Sequence, residues 1–180
     1  MQPTERRIFF ILILIAGLAW ILFSIDNTGT STAGAISAPQ TGFLAPDFTL
    51  QTTDRQTVTL SELKGQAVLV NIWATWCPPC RAEMPVIEKL YEEYKDRDFV
   101  VLGLNSTSQD NQANITPFIK EYNLTFPILL DELGEVSRTY QIHSLPTSFF
   151  INRDGTINEV VVGGPMSEAL LRTRIEDILQ

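Results

Sequence analysis

The feature that most constrains the fold of this chain is an apolar run that leads directly into both of its cysteines. Residues Ala67–Trp73, AVLVNIW, are too few for a helix and carry no charge, so they predict a buried central strand. The sequence CPPC follows within four residues, and residues 81–97 have a helical pattern that only Pro85 interrupts. Cys77 and Cys80 are therefore expected at a junction between a strand and a helix.

Two cysteines at this spacing allow three interpretations. A disulfide between them closes a ring too small to restrict the unfolded chain, so it is a poor structural staple. A zinc site needs four ligands, and beyond the pair the chain has one histidine, His143. A redox pair fits best, because a helix N-terminus stabilises a thiolate at Cys77. Cys80 lies one turn further in and can then attack a mixed disulfide on Cys77.

The rest of the chain predicts an α/β fold. Alternating residues around a polar turn at 48–60 indicate an N-terminal β-hairpin, and 147–163 indicates a second hairpin around the turn RDGT. Apolar runs and helical periodicity predict two more strands and three more helices, at 99–105, 126–131, 112–123, 134–142 and 166–179. Helical connections make the first strands parallel, and the last two strands are antiparallel. A mixed sheet with helices on both faces follows.

A second constraint is the uncharged apolar segment at 8–25, which follows Arg6 and Arg7. A helix of that length spans about 27 Å at 1.5 Å per residue, close to the hydrocarbon thickness of a bilayer. The arginines predict that residues 1–7 are cytoplasmic and that the chain beyond the segment is extracytoplasmic. We therefore predict a single transmembrane anchor in the cell membrane.

A cleaved signal peptide is the alternative, and the small residues STAGA at 31–35 offer a cleavage site. The apolar region of a signal peptide is usually shorter than this one, which favours a retained anchor. Residues 26–44 are rich in Ser, Thr, Gly and Ala and predict a flexible linker. The folded domain is expected at 45–180.

Three sequence features together resemble the thioredoxin superfamily: LVNIWATWCPPC, Pro85 five residues after the second cysteine, and SLPTSFFI. The anchor, the first hairpin and an extra segment near 106–131 are similar to the membrane-anchored TlpA/ResA-like thiol–disulfide oxidoreductases. The resemblance covers residues 45–180. It implies a thioredoxin-like mixed sheet with flanking helices, an N-terminal hairpin and an inserted helix and strand. It also implies thiol–disulfide exchange through Cys77 and Cys80.

The resemblance also implies which residues surround the cysteine pair. Pro146 is implied to be a cis proline packed against the active site, which leaves the backbone groups of Leu145 free to pair with an extended substrate. Thr147 and Trp76 are implied as further substrate contacts. Trp76 would offer a flat apolar surface beside Cys77.

Two positions bear on proton transfer. Cytoplasmic thioredoxins have a buried aspartate in the strand before the cysteines, whereas this chain has Asn71, which cannot titrate. Glu83 matches an acidic position of the ResA-like group, and it can accept the Cys80 proton through a water if it folds over the pair. The alternative for Glu83 is a solvated side chain that stabilises the first turn of the helix.

The residues between the cysteines bear on the direction of the reaction. Pro78 and Pro79 remove two backbone donors, so the N–H of Cys80 is the expected donor to the sulfur of Cys77. A histidine in that gap would stabilise the thiolate and make a strong oxidant, and prolines do not. We therefore expect a reductant of protein disulfides.

Two other classes of protein share parts of this pattern. A peroxiredoxin-like peroxidase has the motif Pro-x-x-x-Thr-x-x-Cys, but Val70 and Ala74 occupy its proline and threonine positions before Cys77. A copper-binding protein of the same fold would need a histidine near a wider cysteine pair. His143 is the one candidate, and we expect it at the surface or at a partner contact.

The net charge and the predicted membrane topology limit the classes of partner that this protein can have. The net charge of −8 argues against nucleic acid, whose phosphates require clustered Lys and Arg. We expect no cofactor and no metal ion. The resemblance implies exported protein disulfides, such as those of apocytochrome c in cytochrome c biogenesis, as substrates. A reductase outside the cytoplasm works where disulfides form readily, so it also implies a transmembrane thiol-electron donor of the CcdA or DsbD kind.

Overall fold

The computed structural model describes residues 36–180, and these residues contain one mixed sheet of seven strands. The strands are Thr49–Thr52 (β1), Thr57–Thr59 (β2), Ala67–Trp73 (β3), Phe99–Asn105 (β4), Ile128–Leu130 (β5), Thr147–Ile151 (β6) and Ile157–Val162 (β7). The α-helices of this part of the chain are Pro78–Tyr94 (α1), Gln112–Tyr122 (α2), Glu135–Thr139 (α3) and Glu168–Leu179 (α4).

The strand before the cysteines lies inside the sheet, as predicted. All residues of β3 are buried, and the strand order is β2-β1-β5-β4-β3-β6-β7. β3 pairs in parallel with β4 and antiparallel with β6. Because both edges and both faces of β3 are covered, a nearly continuous apolar run is what this position requires.

The predicted mixed sheet is also confirmed. β3, β4 and β5 are parallel, whereas β6 and β7 form the predicted antiparallel hairpin. The N-terminal hairpin of β1 and β2 extends the sheet, because β1 pairs antiparallel with β5. The strand predicted at 126–131 is shorter than expected and covers only Ile128–Leu130.

Two apolar cores lie on opposite faces of the sheet. Alternate residues of β3 supply both, since successive side chains of a strand point to opposite faces. Leu69 and Trp73 pack with α1, α2 and α4, and the Trp73 ring stacks on Phe118 with their centroids 4.6 Å apart. Val68, Val70 and Ile72 pack on the other face, in the core that contains Tyr140 and Phe149. The odd-numbered positions of β3 therefore face the helix that carries the cysteines.

The helix α1 continues through Pro85, at which its sequence pattern is interrupted. Pro85 is exposed, and a carbonyl that a proline leaves without a helical partner can be hydrated there. Glu83 and Met84 lie on the buried face of the same helix. The proline therefore costs the helix little and leaves its inner face intact.

The described residues before Ala45 belong to the same compact unit as the sheet, Ile36–Gln180. Gly42 donates a backbone hydrogen bond to Ile157, and the Ala45 N–H donates one to Gly155. These bonds attach Gly42 and Ala45 to the β6–β7 hairpin, although no residue of 36–44 is buried. The small polar residues of this segment predict a flexible linker. The pairing with the hairpin is made by backbone groups, which composition does not reveal.

The predicted anchor at 8–25 and its cytoplasmic flank lie outside the described residues. Within residues 36–180, no helix has both the length and the apolar character that crossing a membrane requires.

Candidate active site

Four chain segments meet at one edge of the sheet. Parallel strands end at the same edge, so β3 and β4 finish side by side, with Trp73 paired to Asn105. β6 runs in the opposite direction and starts at that edge, where Thr147 pairs with Ile72 and also with Val162 at the end of β7. The residues after β3, after β4, before β6 and after β7 are thereby gathered around the cysteine pair.

The two cysteines form a disulfide at the start of α1. Cys77 is the N-cap, and the Cys80 N–H donates a hydrogen bond to the Cys77 sulfur at 3.3 Å, as predicted from the two prolines. Cys77 is 2% exposed and Cys80 is fully buried. Cys80 is therefore the inner member of the pair, and Cys77 lies closer to the surface.

Glu83 is fully buried, which excludes the alternative of a solvated surface side chain. One carboxylate oxygen accepts a hydrogen bond from the Asn71 amide at 2.8 Å, and the other accepts one from the Met166 N–H at 3.2 Å. Asn71 also donates to the hydroxyl of Ser148 at 2.9 Å. Cys80 and Glu83 are three residues apart on α1, so their side chains share one face of the helix.

Burial raises the pKa of Glu83 above its ordinary value of 4.5, and the hydrogen bonds from Asn71 and Met166 oppose that shift. Desolvation disfavours a carboxylate, whereas donors aimed at its oxygens favour it. A buried carboxyl with a raised pKa, one helical turn beyond a redox cysteine, has the chemistry of a proton acceptor and donor.

Pro146 is buried and its peptide bond with Leu145 is cis, as the resemblance implied. Its carbonyl accepts a hydrogen bond from the Gly163 N–H at 2.7 Å. Gly164 lies between Pro146 and Glu83: a Cβ added there would be 2.8 Å from the Pro146 Cγ and 2.7 Å from a Glu83 oxygen. The proline and the carboxylate therefore border the same small space.

The three predicted substrate contacts differ in exposure. Trp76 is 56% exposed beside Cys77, whereas Leu145 is half-buried. Within residues 36–180, neither backbone polar group of Leu145 has a hydrogen-bond partner, so both are free to pair. Thr147 is buried, and its hydroxyl donates to the Ser144 carbonyl at 2.8 Å. This hydrogen bond ties Thr147 to the turn before β6, and its contact with a substrate stays a prediction.

His143 and possible metal ligands are the remaining points of the sequence analysis. His143 is exposed, as expected. Among residues 36–180, no group of three or more His, Cys, Asp or Glu side chains could hold a metal ion.

Sequence reasoning missed two charged residues next to the pair. Asp110, after β4, accepts hydrogen bonds from the backbone N–H and the hydroxyl of Thr75. Arg81 lies in the first turn of α1, 5.2 Å from the centre of the Phe118 ring, and pairs with Glu121. Asp110 is distant in sequence and carries no motif. Only the parallel pairing of β3 with β4 brings it to the site.

A buried disulfide at the N-terminus of a helix, after a central strand and beside a cis proline, defines the class of thioredoxin-fold dithiol proteins. The comparisons agree. Residues 41–160 match the model of the AhpC/TSA family. Over 99% of its length the chain is 42% identical to the thiol-disulfide oxidoreductase ResA of Oceanobacillus iheyensis, of which it covers 90%. The chain therefore belongs to the AhpC/TSA family and is a thiol–disulfide oxidoreductase of the ResA type.

Solved structures give the same fold. The crystal structure of StoA from Bacillus subtilis is 33% identical, with a TM-score of 0.63 over 72% of this chain and 96% of that one. A thiol:disulfide interchange protein of the thioredoxin family from Chlorobium tepidum is 30% identical, with a TM-score of 0.70 over 81% of this chain and all of that one.

Proposed function

We propose that this protein reduces disulfides of exported proteins, with Cys77 as the attacking residue and Cys80 as the resolving residue. The observation that carries the proposal is the hydrogen bond from the Cys80 N–H to the Cys77 sulfur at the start of α1. A helix N-terminus and a donor aimed at sulfur both favour a thiolate. The fully buried Cys80 sulfur is reached only from within, which suits a resolving thiol.

The reaction balances as two exchanges. The Cys77 thiolate attacks one sulfur of a partner disulfide, and the other partner sulfur leaves as a thiolate that takes up a proton. The Cys80 thiol then loses its proton and attacks the Cys77 sulfur, which releases the second partner thiol. The partner gains two electrons, and the enzyme is left with its Cys77–Cys80 disulfide.

We assign Glu83 as the acceptor of the Cys80 proton. Asn71 cannot titrate, and Glu83 is the carboxyl that follows Cys80 on the buried face of α1. Its raised pKa brings its proton affinity closer to that of a thiol, which favours transfer in both directions. Pro146 and Leu145 form the opposite wall, where the free backbone groups of Leu145 pair with an extended partner segment.

The site works on the extracytoplasmic side of the cell membrane in this proposal. Support comes from the segment at 8–25 and the preceding arginines, which predict an anchor with an outward-facing domain. The oxidising environment there requires a supply of electrons, so we propose a transmembrane thiol donor of the CcdA or DsbD kind. The cysteines of apocytochrome c are the proposed substrates, in keeping with the ResA resemblance.

Turnover of a protein disulfide tests the activity. Reduced full-length protein is expected to reduce insulin, and Cys77→Ser and Cys80→Ser are expected to abolish turnover. The same preparations are assayed with hydroperoxide. Consumption of hydroperoxide without insulin reduction would instead support the peroxidase activity that the AhpC/TSA match allows.

A further inference from the structure

One carboxylate ties the loop after β4 to the turn that carries the cysteines. One oxygen of Asp110 accepts hydrogen bonds from the Thr75 N–H at 2.6 Å and from the Asn105 amide at 2.9 Å. The other accepts from the Thr75 hydroxyl at 2.5 Å and from the Asn111 N–H at 2.8 Å. All four acceptor sites of an ionised carboxylate are therefore used. Two of the donors belong to Thr75, two residues before Cys77.

The same loop also holds Trp76. The indole N–H of Trp76 donates to the Gln109 carbonyl at 2.9 Å, although the side chain is 56% exposed. An exposed tryptophan without such a bond would sample several rotamers, and ordering it on binding would cost conformational entropy. The loop instead presents the Trp76 ring in one orientation beside the sulfur that partners reach first.

We propose that Asp110 is a positioning residue for partner docking: it fixes the Thr75 turn and the 109–111 loop to each other, and so holds the Trp76 ring as a preformed platform. The partner is an extended protein segment that carries a disulfide, whose apolar side chains pack on the ring while its sulfur meets Cys77. This inference rests on the proposed function. The Trp76 platform adds a contact that a protein substrate uses and that a small disulfide does not need.

Asparagine at position 110 is the informative substitution because it keeps the shape and removes the charge. Each Asp110 oxygen faces one backbone N–H and one side-chain donor. In either orientation, the new amide NH2 would therefore meet a backbone N–H, from Thr75 or from Asn111. Charge-assisted hydrogen bonds are replaced by an unfavourable contact between donors.

The experiment measures two rate constants for the reduced full-length protein, one with insulin and one with dithiobis(nitrobenzoate), a small disulfide. Asp110→Asn is expected to lower the insulin rate constant about tenfold, since a misplaced docking group costs on the order of 10- to 100-fold, and the small-disulfide rate less than about threefold. In a Trp76→Phe background the same substitution is expected to have little further effect on the insulin rate constant, because the ring that Asp110 holds in place has been removed.

Controls separate positioning from stability. In the β6–β7 turn, one oxygen of Asp154 accepts hydrogen bonds from the backbone N–H and the hydroxyl of Thr156, so Asp154→Asn removes a charge at the opposite edge of the sheet while its amide oxygen can keep both bonds. It should change neither rate. Thr75→Ser keeps both donors to Asp110 and should retain the insulin rate, whereas Thr75→Val removes one donor and should lower it. If Asp110→Asn does not fold, the comparison of Thr75→Ser with Thr75→Val tests the same proposal.

Iodide quenching gives a readout that does not depend on turnover. The difference in fluorescence between the wild type and Trp76→Phe is the signal of Trp76. Quenching of this signal by iodide should increase in Asp110→Asn, because the Trp76 ring is released. Equal losses with insulin and the small disulfide, unchanged insulin rates, or unchanged quenching would each overturn the proposal. A wild type that reduces no insulin would refute the proposed function, and the quenching result would still test the positioning by Asp110.

Discussion

The side-chain amide of Asn71 donates a 2.8 Å hydrogen bond to the carboxylate of Glu83, and both residues are fully or almost fully buried. The bond joins the strand before the cysteines to the helix that contains them. Asn71 thus occupies the place of a titrating aspartate but acts as a donor. In the proposed mechanism the titrating group is therefore Glu83 on the helix, and Asn71 on the strand orients it.

This arrangement predicts slower turnover for Glu83→Gln. Glutamine fills the same volume but cannot accept the Cys80 proton, so the resolving step should slow by about 10²- to 10⁴-fold, the range of general acid–base catalysis. Initial attack by Cys77 should change little. Stopped-flow measurement of both steps between about pH 5 and 9 tests this, since perturbed carboxyls and thiols titrate in that span. Identical profiles for variant and wild type would remove Glu83 from proton transfer.

Glu83 also predicts a pH dependence of stability. Its pKa is raised in the folded protein, so folding favours the protonated form. The stabilising contribution is fully present below pH 4.5, the ordinary value, and is lost as the pH rises through the folded-state pKa. The free energy of unfolding of wild type, relative to Glu83→Gln, should therefore fall as the pH rises above 4.5. Urea titrations of both proteins test it, and a constant difference across the range would contradict it.

Gly164 predicts a packing effect at the same site. A Cβ there would lie 2.7 Å from a Glu83 oxygen and 2.8 Å from the Pro146 Cγ, closer than side-chain atoms approach. Gly164→Ala should therefore lower the free energy of unfolding by about 1–3 kcal/mol, the usual cost of overpacking. Val162→Ala is the control, because Val162 is 66% exposed and should change stability by less than about 0.5 kcal/mol. Similar values for the two variants would show that the site is loosely packed.

The membrane anchor remains a prediction from residues 8–25. Full-length protein is expected in the membrane fraction, and protease added outside the cytoplasmic membrane should remove the chain beyond the anchor. Replacing Arg6 and Arg7 by Glu should weaken this orientation, since flanking basic residues set it. A soluble product beginning near residue 36 would show that the segment is cleaved.

Local patterns in the sequence were sufficient for most of the fold. The apolar run of β3 and the RDGT hairpin depend on neighbouring residues, and the structure agrees with them. The backbone hydrogen bonds from Gly42 and Ala45 to the β6–β7 hairpin were not predicted, because composition does not reveal them.

The parts of the site that depend on contacts between segments distant in sequence could not be predicted from local patterns. Pro78 and Pro79 sufficed to predict the hydrogen bond from Cys80 to Cys77. The burial of Glu83 was left open, because it depends on Met166 and Gly164, which approach from the end of β7. Asp110 was missed for the same reason: no local pattern links it to Thr75, and sheet topology does.

Trapping of mixed disulfides tests the central claim that Cys77 attacks and Cys80 resolves. Cys80→Ser removes the resolving thiol and leaves the attacking one, so covalent complexes with protein partners should accumulate on non-reducing gels. Cys77→Ser should form almost none, because Cys80 is fully buried. Mass spectrometry of the complexes should identify an apocytochrome c and a transmembrane thiol donor. Equal trapping by both variants, or trapping by Cys77→Ser alone, would contradict the assignment of the two cysteines.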